Sequence, residues 1–242
     1  MPRTLASLPG LLLLAALLAP GSASAYVRTV NGNNVPVEWR KTNCLVMRID
    51  ARGCDDISDG SDLKAARNAW NNWVNGTKAC SYISFKEETP NKDLTVGYNS
   101  EGGNENIIAW VESGWTYGAF AVALTKISFV EVTKNPGQGE DGRILDADII
   151  FNGQHLRFAT NGSKLRHDIE NTLTHELGHA LGLDHPCDDG TYKTLPVDDK
   201  GKTIPKCGSS SVTQAMKDST MYNFTDTGET SKRSISSDEI NG

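Results

Sequence analysis

Three histidines, His175, His179 and His185, stand within one segment of eleven residues. His175 and His179 are four residues apart, so on a helix their side chains project from one face and can bind a single metal ion. Glu176 follows the first histidine and can face that ion without binding it. Gly182 can adopt a left-handed conformation, which ends the helix and lets the chain return His185 as a third ligand.

Three neutral imidazoles suit zinc and leave one tetrahedral position for a water molecule, as in catalytic zinc sites. Zinc lowers the pKa of such a water to about 7, and Glu176 would act as its general base and then as the acid for the leaving amine. The alternative is a chance pair of helical histidines beside a surface glutamate. The correctly spaced Gly182 and His185 argue against that alternative.

The segment resembles the signature of the metzincin metallopeptidases, H-E-x-x-H-x-x-G-x-x-H followed downstream by a Met-turn. The stretch Ser219-Thr220-Met221-Tyr222 is similar to that turn, and the resemblance implies that Met221 forms an apolar floor below the histidines. Within the clan the chain resembles matrixin-like secreted enzymes, because residues 142–152 and 237–242 are also similar to theirs. The resemblance implies a zinc-dependent endopeptidase that acts on protein or peptide substrates.

The chain also departs from the matrixin pattern. Pro186 and Cys187 follow the third histidine where matrixins usually carry serine, and a long irregular stretch separates them from Met221. Asn223 stands where some metzincins carry a tyrosine that serves as an extra zinc ligand. This last difference agrees with a site of three histidines and a water.

The N-terminus has the parts of a secretory signal peptide in the usual order. Arg3 precedes an apolar run at residues 11–18, and small residues follow at 23–25. The apolar run is shorter than the roughly 20 residues that a membrane span needs, and no later stretch is apolar enough to span a bilayer. We therefore expect cleavage after Ala25, export without a membrane anchor, and one catalytic domain over residues 26–242. That domain stops inside its last predicted helix, so we expect the natural protein to continue.

Export makes the five cysteines candidates for disulfides. Cys187 and Cys207 bracket one polar loop and are predicted to pair. Among Cys44, Cys54 and Cys80 one must be left over, unless its partner lies outside this chain. Cys44 with Cys80 is the favoured pair.

Apolar patterns predict short strands at Cys44–Ile49, Tyr82–Phe85, Leu94–Tyr98, Ile107–Val111, Ala119–Val132 and Ile144–Phe151. Helical periodicity predicts one helix that Ser61 could cap and that Asn75-Gly76 ends, a second over Asp168–Leu181, and the start of a third at Ser236. These elements indicate an α/β (α+β) fold. The resemblance implies a twisted mixed sheet of about five strands over two long helices, a small C-terminal subdomain after the zinc helix, and a substrate extended along an edge strand at Ala119–Thr125.

The formal net charge of −6 and the lack of a long Lys/Arg cluster argue against a nucleic-acid partner. Several other side chains could bind metal. Structural calcium could be held by the acidic clusters Asp55-Asp56-Asp59, Asp188-Asp189 and Asp198-Asp199, or by Asp146 and Asp148. A structural zinc could be held by His155 and His167. Solvated loops are the favoured interpretation of the clusters, and hydrogen-bonded or exposed side chains that of the two histidines. Asp146 and Asp148 could equally serve the solubility of an edge strand.

A second hypothesis is a non-catalytic extracellular binding or adhesion module that keeps the zinc helix as a structural element. The presence of Glu176 favours catalysis, because a structural zinc gains nothing from a carboxylate beside an open coordination position. A zinc hydrolase that acts on a non-peptide amide is a third hypothesis.

Overall fold

The computed structural model of the protein describes residues 26–40, 44–192 and 194–242, so the predicted signal peptide lies outside the described residues. The strands are β1 (Val27–Arg28), β2 (Cys44–Asp50), β3 (Ser84–Asn91), β4 (Asn106–Trp110), β5 (Ala123–Phe129), β6 (Ile144–Phe151), β7 (Phe158–Ala159), β8 (His167–Asp168) and β9 (Leu183–Asp184). The helices are α1 (Ser61–Thr77), α2 (Ile169–Ala180), α3 (Gln214–Asp218) and α4 (Ser237–Asn241), with a 3-10 turn at Ser231–Arg233. None of these described helices is long and apolar enough to cross a membrane.

Five strands form one mixed sheet in the order β3-β2-β4-β6-β5. The first four are parallel, and β5 runs antiparallel to β6 at one edge. The predicted α/β class is confirmed, because the fold is a mixed sheet of five strands with two main helices. The edge strand begins at Ala123 and not at Ala119, so the predicted edge overlaps with only the start of β5.

The two long helices pack on one face of the sheet and form the main core. Trp73 of α1 and Leu173 and Leu177 of α2 are buried there with Ile149 and Phe151 of β6. The indole N–H of Trp73 also donates to the carbonyl oxygen of Thr174 at 2.8 Å. Helix α2 therefore has a fixed position on the sheet, held by apolar packing and by a hydrogen bond from α1.

The limits of α1 differ from the prediction. Ser61 is the first residue of the helix and not its cap, because Gly60 makes the turn before it in a left-handed conformation with φ of +73°. Glycine adopts that conformation without the steric cost that a Cβ brings. The helix also continues past Asn75-Gly76 to Thr77.

The predicted strand at Leu94–Tyr98 is wrong. This segment belongs to an irregular stretch between β3 and β4, and the backbone N–H of Gly97 donates to the carboxylate of Asp148 instead of to a neighbouring strand. A side chain that takes up the backbone donor competes with sheet formation. The predicted helix start at Ser236 is confirmed, since its side chain caps α4 in a capping box with Glu239.

The disulfide between Cys187 and Cys207 is confirmed. The predicted pair of Cys44 and Cys80 is wrong, because these two residues form no disulfide with each other. The sulfur of Cys80 instead lies within hydrogen-bonding distance of two carbonyl oxygens, 3.4 Å from that of Thr77 and 3.6 Å from that of Ile240. Cys54 is buried, and burial raises the pKa of its thiol to about 12.

Candidate metal centre

Helix α2 carries the first two histidines and is anchored at its N-terminus. Asp168 is the N-cap and accepts a hydrogen bond from the backbone N–H of Asn171 at 3.0 Å. Its carboxylate also pairs with the guanidinium of Arg233 at 2.5 Å. Because Leu173 and Leu177 bury the core-facing side of the helix, the opposite side presents His175 and His179 to the cleft along β5.

Gly182 ends this helical segment and reverses the chain. Its φ is +93°, and a Cβ at this position would collide with the carbonyl oxygen of Val37. After the turn, β9 pairs antiparallel with β1, and its Asp184 lies opposite Val27. The next residue is His185, so the turn and the short pairing with β1 together return the third histidine toward α2.

The structure brings the three predicted histidines together. The Nε2 atom of His185 lies 3.0 Å from Nε2 of His179 and 3.2 Å from Nε2 of His175. The third imidazole is therefore on the same side of the turn as the other two. Among the described residues, this is the only group of three or more potential metal-binding side chains whose ligand atoms converge.

Hydrogen bonds to backbone carbonyls orient two of the rings. The Nδ1 atom of His175 lies 2.7 Å from the carbonyl oxygen of Thr220, and that of His179 lies 2.9 Å from the carbonyl oxygen of Leu183. A carbonyl can only accept, so both rings carry their proton on Nδ1 and direct an Nε2 lone pair to the centre. Burial, followed by the charges of neighbouring histidines, lowers the pKa of His175 and His185 well below the usual value, which favours the neutral, metal-binding form.

The donor set fits a zinc ion. The Nε2 atom of His185 carries at most one proton, so at least one of its two Nε2–Nε2 contacts has no hydrogen bond of its own to stabilise it. A cation bound by all three nitrogens would attract each of them and so offset the repulsion between the nitrogens. Zinc with Zn–N bonds of about 2.0–2.1 Å in tetrahedral geometry holds its nitrogens about 3.3 Å apart, close to the two spacings in this cluster.

Glu176 lies beside the cluster and is buried, with an exposed fraction of 5%. The hydroxyl of Thr125 on β5 lies 2.7 Å from Oε2 of this glutamate and 3.0 Å from its carbonyl oxygen. Burial is the main cause that raises the pKa of Glu176 above the usual value for glutamate. The carboxylate is thereby a stronger base than an exposed one and is held in one orientation.

Met221 is buried within the main core, next to α2. Its sulfur occupies the space that a Cβ on Gly178 would fill, so the glycine in α2 allows the methionine to approach. The surrounding turn is closed by a hydrogen bond from the N–H of Tyr222 to the carbonyl oxygen of Ser219 at 3.1 Å. The same turn provides the Thr220 carbonyl that orients His175, which links the methionine segment to the histidine cluster.

The histidine cluster opens into a cleft of about 680 Å³. Its lining includes residues of β5, of the loop between Cys187 and Cys207, and of the segment 222–225. Tyr192 of that loop donates its phenolic hydrogen to Asp184, the residue before His185. Phe120 and Phe224 are exposed aromatic side chains that also line the cleft.

The contacts of three polar residues of this cleft, Thr125, Thr172 and Lys232, were not predicted from sequence, although Thr125 ends the predicted edge strand. Thr125 lies 51 residues before Glu176, and no local pattern connects the two. Thr172 stands one helical turn before Glu176, so its position on the same face of α2 could have been found from the helical period. Lys232 could have been noticed only through its burial, which a sequence does not display.

The other candidate metal sites gain no support among the described residues. The Asp188 carboxylate accepts from the N–H of Gly190, and that of Asp198 accepts from the N–H groups of Lys200 and Lys202. These are local turn interactions, although Asp188 is buried and not solvated, and the described structure gives no support for calcium. His155 and His167 likewise belong to no converging group among the described residues.

Residues 130–189 match the family model of zincin-like metallopeptidases. The match supports a zinc metallopeptidase. It covers about a quarter of the chain and includes β6, α2 and all three histidines of the cluster. No curated protein matches the sequence significantly. The zincin-like segment is thus the part of the molecule in which the histidine cluster and Glu176 lie.

Proposed function

We propose that this protein is a secreted zinc-dependent endopeptidase of the metzincin type, with His175, His179 and His185 as zinc ligands and Glu176 as general base and acid. The observation that carries the proposal is the convergence of the three Nε2 atoms beside a buried carboxylate, inside the zincin-like segment. A closed structural site does not need that carboxylate.

The residues of this chain divide the chemistry between them. A zinc ion held by the three histidines supplies Lewis acidity, which makes water nucleophilic near neutral pH and polarises the scissile carbonyl. Glu176 accepts a proton from the attacking water and returns it to the leaving amine. Thr125 holds Oε2 of that glutamate in place, and Thr220 and Leu183 hold two imidazole rings through their carbonyls.

The edge strand β5 gives the substrate a place to bind. It pairs only with β6 within the five-stranded sheet and lines the cleft beside Glu176. An extended peptide can add to such an edge through backbone hydrogen bonds, which bind many sequences without discrimination. This arrangement supports an endopeptidase, because a peptide can lie along the strand on both sides of the catalytic glutamate.

The matrixin-like assignment and secretion are parts of the same proposal. Met221 below α2 and the turn around it support the first, since the methionine packs against the helix that carries two of the histidines. The signal-peptide pattern at residues 1–25 and the Cys187–Cys207 disulfide support the second, because disulfides persist in oxidising compartments. N-terminal sequencing of protein from the culture medium of a secreting host should read from Tyr26.

The decisive experiment measures zinc content and casein hydrolysis of the secreted protein in parallel. We expect about one zinc per chain, activity that a chelator removes and that added zinc restores, and loss of activity in Glu176→Ala with zinc retained. Glu101→Ala, which changes an exposed glutamate, is the matched control and should stay active. If the wild-type protein binds zinc but is as inert as Glu176→Ala, the endopeptidase proposal is wrong and the non-catalytic module is favoured.

A further inference from the structure

We infer that Lys232 and Thr172 form a side pocket of the cleft that selects an acidic side chain at one of the two substrate residues flanking the scissile bond. The inference rests on the proposed function and names a class of peptide for it. It is carried by two buried polar groups on the cleft wall, one an ammonium and the other a hydroxyl, both with hydrogen-bonding capacity to spare.

The ammonium of Lys232 is buried, with an exposed fraction of 4%, and it lines the cleft. Two of its three protons are donated to the carbonyl oxygens of Tyr222 and Phe224, at 2.9 and 2.6 Å. Glu229 lies 4.0 Å away, close enough for charge attraction but too far for a hydrogen bond. The third proton therefore has no acceptor within hydrogen-bonding distance among the described residues.

Thr172 provides the second group. Its exposed fraction is 4%, it lines the same cleft, and its hydroxyl has no hydrogen-bond partner in the described part of the chain. Most buried hydroxyls are satisfied, so an unsatisfied one that borders a cavity indicates a position where a ligand supplies the partner. A carboxylate accepts from both the ammonium and the hydroxyl, and it neutralises the buried positive charge.

The position of the pocket determines which substrate residue can place its side chain there. Thr172 stands four residues before Glu176 on α2, about 6 Å along the helix axis. The backbone N–H of Lys232 donates to the side-chain oxygen of Asn171 at 2.8 Å, which places Lys232 beside the turn of α2 that carries Thr172, in the same cleft as Glu176. We therefore assign a side chain that enters this pocket to one of the two substrate residues beside the attacked carbonyl.

The test compares matched peptides that carry Glu or Gln beside the cleaved bond. Their cleavage sites are mapped by mass spectrometry, and the ratio of the two kcat/KM values is the measured quantity. For the wild-type protein we expect a ratio of about 10 or more in favour of Glu, the size of one charge-assisted hydrogen bond. Equal values for the two peptides would overturn the inference, although the endopeptidase proposal would stand.

Four variants assign the preference to the pocket. Lys232→Met should bring the ratio close to 1, Lys232→Arg should keep most of it, and Thr172→Val should reduce it. Lys134→Met, which removes an exposed lysine, should leave it unchanged. A ratio that survives in a folded Lys232→Met variant contradicts the inference. Lys232→Arg covers the case in which the methionine variant does not fold, because a lost preference with the charge retained also contradicts it.

A binding measurement separates this inference from the proposed chemistry. The Glu176→Gln variant loaded with zinc should not turn over peptides, so fluorescence anisotropy with labelled Glu and Gln peptides measures affinity alone. Tighter binding of the Glu peptide by about tenfold supports the pocket even if no peptide is hydrolysed by the wild-type protein. Equal affinities would contradict it independently of any activity.

Discussion

The hydroxyl of Thr125 lies 2.7 Å from the carboxylate oxygen Oε2 of Glu176. The threonine belongs to the edge strand β5 and the glutamate to helix α2, so this bond joins the wall on which a substrate can lie to the proposed general base. A carboxylate that accepts a proton from water must keep one oxygen free and correctly aimed. The hydrogen bond to the other oxygen fixes that aim.

Thr125→Val should lower kcat by about tenfold or more, since a hydrogen bond to a charged group is worth about 1.5–3 kcal/mol. KM and zinc content should change little, because valine keeps the volume and touches no proposed ligand. Steady-state kinetics together with metal analysis provides the measurement. Thr125→Ser keeps the hydroxyl and should recover most of kcat. An unchanged kcat in the valine variant would show that Thr125 has no positioning role.

Gly182→Ala should destabilise the fold and reduce zinc binding. A residue with a Cβ resists the φ of +93°, and the added carbon would collide with the carbonyl oxygen of Val37. We expect a loss of about 3 kcal/mol or more in the free energy of unfolding, of which the positive φ alone accounts for about 1–2 kcal/mol. Chemical denaturation and zinc titration measure the two effects.

Gly102→Ala is the matched control for this substitution. Gly102 has a similar φ of +100°, and a Cβ there would meet no atom within 4 Å. The Gly102→Ala variant should lose only the part of the free energy of unfolding that the positive φ costs, and it should keep its zinc affinity. Equal zinc affinities for the two variants would mean that the turn at Gly182 does not control the position of His185.

Local signals were enough to predict the centre of the site. The helical period of α2 and the glycine at its end both lie within a few residues of the histidines that they position. Each of these features acts through the adjacent backbone, so the sequence displays it directly. The disulfide of Cys187 with Cys207 was accessible for the same reason, because its two ends bracket one loop.

The contacts between the walls of the cleft and the histidine cluster were not predictable from such local signals. Thr125 and Lys232 reach the cleft only because β5 and the segment after Met221 fold against α2 from far along the chain. The incorrect pair of Cys44 and Cys80 has the same origin, since the thiol of Cys80 contacts the carbonyl of Ile240, 160 residues away. Such positions depend on tertiary packing, which neither periodicity nor spacing reports.

Gly178→Ala tests the contact between α2 and Met221 in the turn that follows Ser219. Alanine is favoured over glycine in a helix by about 1 kcal/mol, but the new Cβ would collide with the sulfur of Met221. Overpacking of this kind costs about 1–3 kcal/mol, so a net loss of stability is expected. The double variant Gly178→Ala with Met221→Ala should be more stable than the sum of the two single effects predicts. Additive effects in thermal unfolding would mean that the two residues do not contact each other.

Because of Asp146, the free energy of unfolding should fall as the pH rises toward and through about 6. Both of its carboxylate oxygens are buried and lack a hydrogen-bond partner among the described residues. Burial, with the nearby charge of Asp148, raises its pKa from 3.8 to about 6. The folded state therefore holds this proton more tightly than the unfolded state. The resulting stabilisation is fully present below about pH 3.8 and is lost as the pH passes 6, a change of up to about 3 kcal/mol.

Asp146→Asn removes this titration and should flatten the pH dependence of the free energy of unfolding between pH 4 and 7. The stability of the variant relative to wild type should rise across that range, because only the wild-type protein must ionise a buried carboxyl. Urea unfolding at several pH values, at constant zinc concentration, measures the difference. Asp93→Asn, at an exposed aspartate, is the control and should run parallel to wild type. A difference between Asp146→Asn and wild type that stays constant with pH would mean that Asp146 already ionises near its ordinary pKa in the folded protein.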